Sequence, residues 1–333
     1  MTSSSPPPRI PNAADTPRRW RENALLAGLV CLVVAGLAGL AAATGWDDTI
    51  AELRSLSAAQ LFALLALSLV NYGLRAARWH IFANRLALPT VFWQNIRHYL
   101  GGYAMSVTPG RVGELVRMRW IRRETGWPFE QTAPLVLIDR AADLAAMALL
   151  LALALALSRG GVTGGVPVAV LAFGVAYVAT RPIALKQVAN LGHRLAGKRF
   201  PKVFARVRRA ATALAAFRGP GLLMVAGVLG LVGWLAEGVA FHLLLSWMGA
   251  DIGLWMAIAI FVFATIAGGL TGAPGGLGGA EAAMVGLLIL DGVPTEIAVA
   301  ATLVIRVTTL WFAILLGLIV FPYAERKSQM AAA

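Results

Sequence analysis

The stretch that decides the fold is IGLWMAIAIFVFATIAGGLTGAPGGLGGAE, residues 252–281. It has no charged residue before Glu281, yet Pro274-Gly275-Gly276 interrupts its apolar run. Proline removes a backbone donor and glycine tolerates angles that a helix forbids. Because about 20 apolar residues cross a hydrocarbon core, the stretch is long enough to enter a membrane. We therefore expect a broken helix there, in a place where protein or water satisfies the open backbone.

The remainder of the chain has the composition of a multi-spanning membrane protein. Of its 333 residues 59% are hydrophobic and 14% are charged, about half the charged fraction of a soluble domain. Apolar spans are predicted at 23–46, 55–74, 134–157, 160–180, 219–247 and 298–320. The fold class expected is an all-α, polytopic membrane bundle.

Basic residues predict the orientation, because short cytoplasmic loops carry an excess of Lys and Arg. Residues 181–218 hold ten basic side chains and no acid, and 75–98 is also basic, whereas 46–60 is acidic. Both basic segments are expected to face the cytoplasm, as are both termini, in the inner membrane of a cell. The predicted domains are a disordered tail, 1–22, and a transmembrane domain, 23–323.

Two halves of the transmembrane domain resemble each other at an offset of 162 to 167 residues. Repeat one is placed at about 60–180 and repeat two at about 220–322. The matched pairs, in chain order, are Leu67–His80 with Leu229–His242, Pro109–Glu114 with Pro274–Glu281, Glu130 with Glu296, and Arg140 with Arg306. The loop charges give the matched helices opposite directions, so the repeats are predicted to be inverted. Inverted repeats with interrupted helices are typical of transporters.

Both Pro-Gly segments are predicted to form re-entrant hairpins. The stretch 92–117 has basic residues at its two ends, which indicates that it enters and leaves on the cytoplasmic side. By symmetry, 255–281 is expected to enter from the outer side. An alternative is that the duplication is kept only for folding.

Ionisable residues inside the spans are candidates for a site, because they are costly in a membrane and usually face the bundle interior in pairs. The candidates are Arg111, Glu114, Arg117, Asp139, Arg140, Asp143, Glu237, Glu281 and Arg306. Arg140 and Asp143 either neutralise each other as i, i+3 neighbours or bind a substrate. Arg306 has no local acid, so its partner is expected on another helix, with Glu281 or Glu237 suitable. Arginine also suits phosphate, which it holds in two bonds.

Other chemistry is not indicated by the motifs. No HExxH, paired-cysteine or histidine-cluster spacing predicts a metal site, and Cys31 is the single cysteine. No GxxxxGK[ST] loop predicts ATP binding, and no cofactor is expected. Residues 200–217 form a basic amphipathic pattern suited to anionic lipid headgroups, or serve only to fix topology. Nucleic acid is an improbable partner for a loop tethered to the membrane at both ends.

Over roughly 60–320 the chain resembles the family of the lysylphosphatidylglycerol synthase transmembrane region, whose members include flippase-like proteins. The motifs that carry the resemblance are Arg75 to Trp79 with Arg78, Pro109-x-Arg111-x-Gly113-Glu114-x-x-Arg117, Asp139-Arg140-x-x-Asp143, Glu237, Pro274-Gly275-Gly276-Leu277-Gly278-x-x-Glu281, and Arg306. Bifunctional members carry a soluble aminoacyl-transferase domain after this region. As this chain ends at Ala333, the resemblance implies translocation without lipid synthesis.

The predicted function is movement of a polar or anionic lipid headgroup across the membrane, not catalysis. The arginines would bind the headgroup and the glutamates would neutralise them when the site is empty, with Glu114 and Glu281 acting in alternate states or merely capping helices. Lipids left open are anionic or aminoacylated phospholipid, polyprenyl phosphate and hopanoid-type lipid. A membrane lipid or glycosyl transferase, and a non-transporting scaffold for a lipid-modifying enzyme, are the alternatives. A homo-oligomer or such an enzyme is a candidate partner.

Overall fold

The computed structural model describes residues 51, 54, 56–106, 108, 115–158, 165–195, 214–217 and 219–332. All regular elements in these ranges are helices, as predicted. Their bounds are α1 Ala58–Arg85, α2 Phe92–Gly102, α3 Val116–Thr125, α4 Phe129–Leu157, α5 Gly165–Thr180, α6 Pro182–Leu195, α7 Pro220–Trp247, α8 Leu254–Leu270, α9 Gly279–Leu290, α10 Thr295–Arg306 and α11 Phe312–Ala332. The first predicted span, 23–46, lies outside the described residues.

Four helical segments of this part of the chain are long and apolar enough to cross a membrane. They are α1, α4, α7 and the run from Thr295 to Ala332 that joins α10 to α11. Three shorter helical stretches are also apolar, among them α8 and α9. The described residues therefore form an all-α bundle of membrane-spanning length.

Helix α1 is longer than the predicted span 55–74. It starts with a capping box in which Ser57 and Gln60 exchange hydrogen bonds, an arrangement that satisfies two free donors of the first turn. It then continues to Arg85 because Arg75 and Arg78 are buried among other helices and do not begin a loop. The predicted span 55–74 therefore ended eleven residues too early.

Helices α8 and α9 form the hairpin predicted from the Pro-Gly segment. Between them, Pro274–Gly276 makes a single 3-10 turn, and Gly275, Gly276 and Gly278 have φ values of 61°, 70° and 79°. Only glycine adopts such angles without strain. At 1.5 Å per residue, the 17 residues of α8 and the 12 of α9 give lengths of about 25 and 18 Å, both short of a 30 Å hydrocarbon core.

The equivalent segment of the first half is also divided into two short helices. Helix α2 ends at Gly102, a 3-10 turn follows at Tyr103–Met105, and α3 begins at Val116. Helices α2 and α3 pack against each other. Residues 109–114, which contain the predicted turn, lie outside the described residues.

The last membrane-spanning segment contains a π-helical turn at Val307–Trp311 and continues to Ala332. The predicted end at residue 320 was therefore too early. Glu325 explains the extension, since it accepts hydrogen bonds from Arg119 at 2.7 Å and Arg123 at 2.6 Å on α3. These contacts fix the last turns of α11 against α3.

Helices α1 and α7 pack against each other and run antiparallel. A Cβ on Gly233 would lie 2.7 Å from Asn71 Oδ1, and one on Gly230 would lie 3.1 Å from Arg78 Nη1. The residue order therefore reverses between the two helices. This is the direction that inverted repeats require, while the superposition of the repeats stays a prediction.

The predicted basic loop 181–218 is partly helical, because it contains α6. Residues 200–213 of its amphipathic pattern lie outside the described residues. Phe217, which was predicted to face the interface, is instead buried and packs edge-on against Phe82 with ring centroids 5.5 Å apart. This end of the loop is part of the protein core.

Close packing of α11 against the turn after α2 gives the first test. A Cβ on Gly317 would lie 2.2 Å from the backbone nitrogen of Ala104, and overpacking of this kind costs about 1–3 kcal/mol. Gly317→Ala should therefore lower the thermal unfolding midpoint of the purified protein. Gly286→Ala is the matched control, since a Cβ at Gly286 meets nothing within 4 Å. Equal midpoints for the two variants would contradict this packing.

Candidate functional site

Two arginines of α1 and two aspartates of α4 form a buried ion-pair cluster. Arg78 Nη2 lies 2.7 Å from Asp139 Oδ1 and 2.6 Å from Asp143 Oδ1. Arg75 Nη2 lies 2.5 Å from Asp143 Oδ2. All four side chains are at most 5% exposed. Each guanidinium thus has a carboxylate partner, which offsets the cost of removing both charges from water.

The local pairing predicted within α4 is the weaker part of this cluster. Arg140 lies 3.8 Å from Asp143 and 3.2 Å from its neighbour Asp139, and its side chain is 28% exposed. Asp143 is closer to Arg75 and Arg78 by more than an ångström. The main partners of the aspartates therefore come from another helix.

Arg306 has the partner from another helix that the sequence predicted. At the end of α10, its Nε donates to Glu281 Oε1 at 2.6 Å, and its Nη2 donates to the carbonyl of Gly275 at 2.9 Å. Glu281 lies in the first turn of α9, and both side chains are 7% exposed. Arg306 thus connects the glycine turn of the hairpin to the start of the π-helical turn.

A small cavity lies between these two ion-pair groups. Its charged walls are Arg75 from α1, Glu237 from α7 and Arg306 from α10. The other lining residues are Tyr72, Tyr103, Ser106, Trp234, Thr265, Thr309, Leu310 and Ala313. Its volume is about 50 Å³, compared with about 300–1,000 Å³ for sites that hold a drug-sized ligand. The two halves of the chain therefore meet at a polar cavity that is too small for such a ligand.

The cavity is narrowed partly by contacts of its own aromatic lining residues. The Tyr72 hydroxyl donates to the carbonyl of Thr309 in the π-helical turn, and the Tyr72 and Tyr103 rings have centroids 5.4 Å apart. Arg75 lies over the Trp234 ring at 5.2 Å, within cation–π range. These aromatic residues were missed from the sequence, where the one available signal was that Tyr72 and Trp234 occupy matched positions of the two repeats.

Arg117 lies beside the cavity, inside a cage of aromatic rings. Its guanidinium carbon is 4.2 Å from the Tyr99 ring centre, 5.2 Å from Trp79 and 5.7 Å from Tyr103. It is 1% exposed. A Cβ on Gly102 would lie 2.1 Å from Arg117 Nε, so a glycine is required for this arrangement. Tyr99 also donates to Asp139 at 3.4 Å, which connects the cage to the ion-pair cluster.

Of the remaining predicted site residues, the structure describes those of the hairpin turn. Gly275 and Gly276 form the hairpin turn with Pro274. Arg111 and Glu114 lie outside the described residues. Within the described ranges, no three His, Cys, Asp or Glu side chains are grouped so as to hold a metal ion.

The ion-pair cluster predicts a strong effect for one substitution. Asp143→Asn would leave Arg75 without its carboxylate, and breaking a buried pair by removing one partner costs about 3–5 kcal/mol. We expect a large fall in the yield of folded protein and in its unfolding midpoint. Glu296→Gln is the control, because Glu296 is exposed at the start of α10. An Asp143→Asn variant as stable as the control would contradict the assignment.

Comparison with known proteins agrees with this architecture. Residues 25–317 match the family model described as "Lysylphosphatidylglycerol synthase TM region". Two proteins of Methanothermobacter thermautotrophicus, both named "UPF0104 membrane protein", are also similar. One is 35% identical over 92 residues, 28% of this chain and 28% of the relative, and the other is 31% identical over 90 residues, 27% of each. The matched segments thus span less than a third of either relative. Because the family match covers most of the chain, this multi-pass membrane protein belongs to the family of the lysylphosphatidylglycerol synthase TM region, which supports a role connected with membrane lipids.

Proposed function

We propose that the protein moves the polar headgroup of an anionic or aminoacylated lipid between the two leaflets of the membrane. The observation that carries the proposal is the cavity in which Arg75, Glu237 and Arg306 converge from three helices. Arg75 belongs to the first predicted repeat, and Glu237 and Arg306 belong to the second. The lipid tails would stay in the bilayer while the headgroup passes between the halves.

The side chains suit a headgroup that carries phosphate. Arg75 and Arg306 already hold carboxylates, Asp143 and Glu281, at 2.5 and 2.6 Å. A phosphate offers the same planar donor fork two oxygens and two bonds, so it is able to take the place of a carboxylate. Glu237, buried in the cavity wall, would accept a hydrogen bond from an amine of the same headgroup. A bound headgroup would therefore replace the carboxylates as the partner of these arginines.

Transport needs a larger cavity than the present one. Two features next to it are suited to movement: the glycine turn at Pro274–Gly276 and the π-helical turn at Val307–Trp311. π-helical turns are frequent at functional sites. Arg306 is bonded to the first and begins the second. Transfer of its guanidinium from Gly275 and Glu281 to a headgroup would therefore release both turns. Glu281, freed in that step, is the residue we expect to alternate with Glu114.

Orientation is part of the same proposal. We expect both termini on the cytoplasmic side of the inner membrane, as the basic residues of 181–218 indicate. Arg75 and Arg78 no longer count toward this assignment because they are buried. The first hairpin would then open toward the cytoplasm and the second toward the outer side.

The test is a double substitution that removes the arginine without leaving a buried charge. Arg306→Met with Glu281→Leu replaces an ion pair by apolar side chains of similar volume, a change that is often neutral for stability. In proteoliposomes with labelled phosphatidylglycerol or its lysyl ester, we expect wild-type protein to exchange lipid between leaflets. The double variant should fold with a modest loss of stability, because it also removes the bond from Arg306 to the Gly275 carbonyl. Its rate should fall at least about tenfold, the effect of about 1.4 kcal/mol in transition-state binding.

The control for this experiment is Arg119→Met. It removes another arginine that pairs with a glutamate of the last helix, Glu325, but Arg119 lies outside the cavity and is half exposed. Wild-type rates in both variants would overturn the proposed route. Conversion of the labelled lipid to a new product would favour a transferase, and no lipid movement by wild-type protein would favour a scaffold.

A further inference from the structure

A second cavity, separate from the headgroup route, lies between α2 and the end of α11. It is an open groove of about 660 Å³, within the range of small-molecule sites. On α2 its wall includes Gln94 and, on one face, Trp93, Ile96, Arg97 and Leu100. The last four positions follow the i, i+3, i+4, i+7 pattern of one helical face. The opposite face of α2 is buried in the core, so this face belongs to the groove alone.

The other wall of the groove comes from α11. It consists of Val320, Tyr323, Lys327 and Ala331, again one side of a helix. Helices α2 and α11 run antiparallel, because a Cβ on Gly101 would touch Ala324 and, further on, Gly317 lies against Ala104. Leu100 and Val320 therefore lie at one end of the groove.

The lining of the groove changes from aliphatic to charged along its length. At its first end the walls are aliphatic, from Leu100 and Val320. At its second end are two cations, Arg97 and Lys327, and one carboxylate, Glu124. Arg97 Nη2 is paired with Glu124 at 2.6 Å, and its guanidinium lies 5.7 Å from the Tyr323 ring centre. Lys327 is exposed and has no ion pair within the part of the chain that the structure describes. The second end therefore has an unneutralised positive charge.

Two exposed aromatic residues indicate that the groove lies where the hydrocarbon core meets the lipid headgroups. Trp93 is 75% exposed and Tyr323 is 55% exposed. Trp and Tyr are enriched where hydrocarbon meets headgroups, and basic side chains at that level attract anionic lipid. An amphiphile that lies in the groove would thus have its tail beside Val320 and its phosphate beside Lys327.

We propose that this groove binds one anionic phospholipid, with an acyl chain along Ile96, Leu100 and Val320 and the phosphate at Arg97 and Lys327. The site does not depend on the proposed transport. Its position connects it to the rest of the bundle, because Glu124 also contacts His98 at 3.1 Å on the buried side of α2. The bound lipid would contact α2 and α11 together and stabilise their packing.

The test uses the purified full chain titrated with phosphatidylglycerol or phosphatidylcholine and examined by native mass spectrometry. We expect one phosphatidylglycerol to bind, with phosphatidylcholine binding much more weakly. Lys327→Gln should weaken phosphatidylglycerol about fivefold, the contribution of one basic side chain near an anionic lipid surface. Since Lys327 is exposed, the variant is expected to fold. Val320→Trp should weaken binding as well, because the indole fills the aliphatic end.

Arg326→Gln is the matched control, since it removes the same charge from the next residue of α11, which is exposed and does not line the groove. It should leave the affinity unchanged. Equal losses for Lys327→Gln and Arg326→Gln would show that only the general charge of the surface matters, and would overturn the proposal. So would equal binding of the two lipids, or an unchanged affinity in Val320→Trp.

Discussion

The structure depends on one constraint, which is that a guanidinium buried in an apolar bundle must have a partner for its charge. The partner is a carboxylate for Arg75, Arg78 and Arg306, and Arg117 lies against aromatic rings. The price of an unpaired charge is several kcal/mol, so each buried arginine fixes the helix that supplies its partner. Arg75 and Arg78 join α1 to α4, and Arg306 joins α10 to the hairpin of α8 and α9. The small cavity lies between these two connections, and its position follows from them.

Glycine and the π-helical turn give this paired framework its irregular backbone. Gly275 and Gly276 make a turn with left-handed angles, and the carbonyl of Gly275 accepts a bond from Arg306. The turn therefore ends a helix at a point where a side chain satisfies its open backbone, as membrane burial requires. On the other wall, the π-helical turn presents the carbonyl of Thr309 to Tyr72. Opening of the cavity would therefore require the bonds from Arg306 to Gly275 and from Tyr72 to Thr309 to break.

Much of this was predictable where the signal is local in sequence. The Pro-Gly segment predicted the broken hairpin, and an arginine with no acid nearby predicted that Arg306 pairs with another helix. The length of α1 was not predictable in the same way, because Arg75 and Arg78 resemble the start of a basic loop until their partners on α4, more than 60 residues away, are known. The burial of Phe217 was missed for the same reason, since its contact with Phe82 joins distant segments. The aromatic walls of the cavity had no charge or turn motif to indicate them, and the inversion of the repeats stays a prediction.

The central claim is that both halves of the chain bind one lipid headgroup in the shared cavity. The most direct measurement is a cryo-electron microscopy structure of the full chain in lipid nanodiscs that contain phosphatidylglycerol. The account predicts headgroup density within hydrogen-bonding distance of Arg75 and Arg306, with the cavity enlarged and the contact between Tyr72 and Thr309 broken. A lipid-saturated structure in which that contact is intact and no headgroup lies between the two arginines would contradict it.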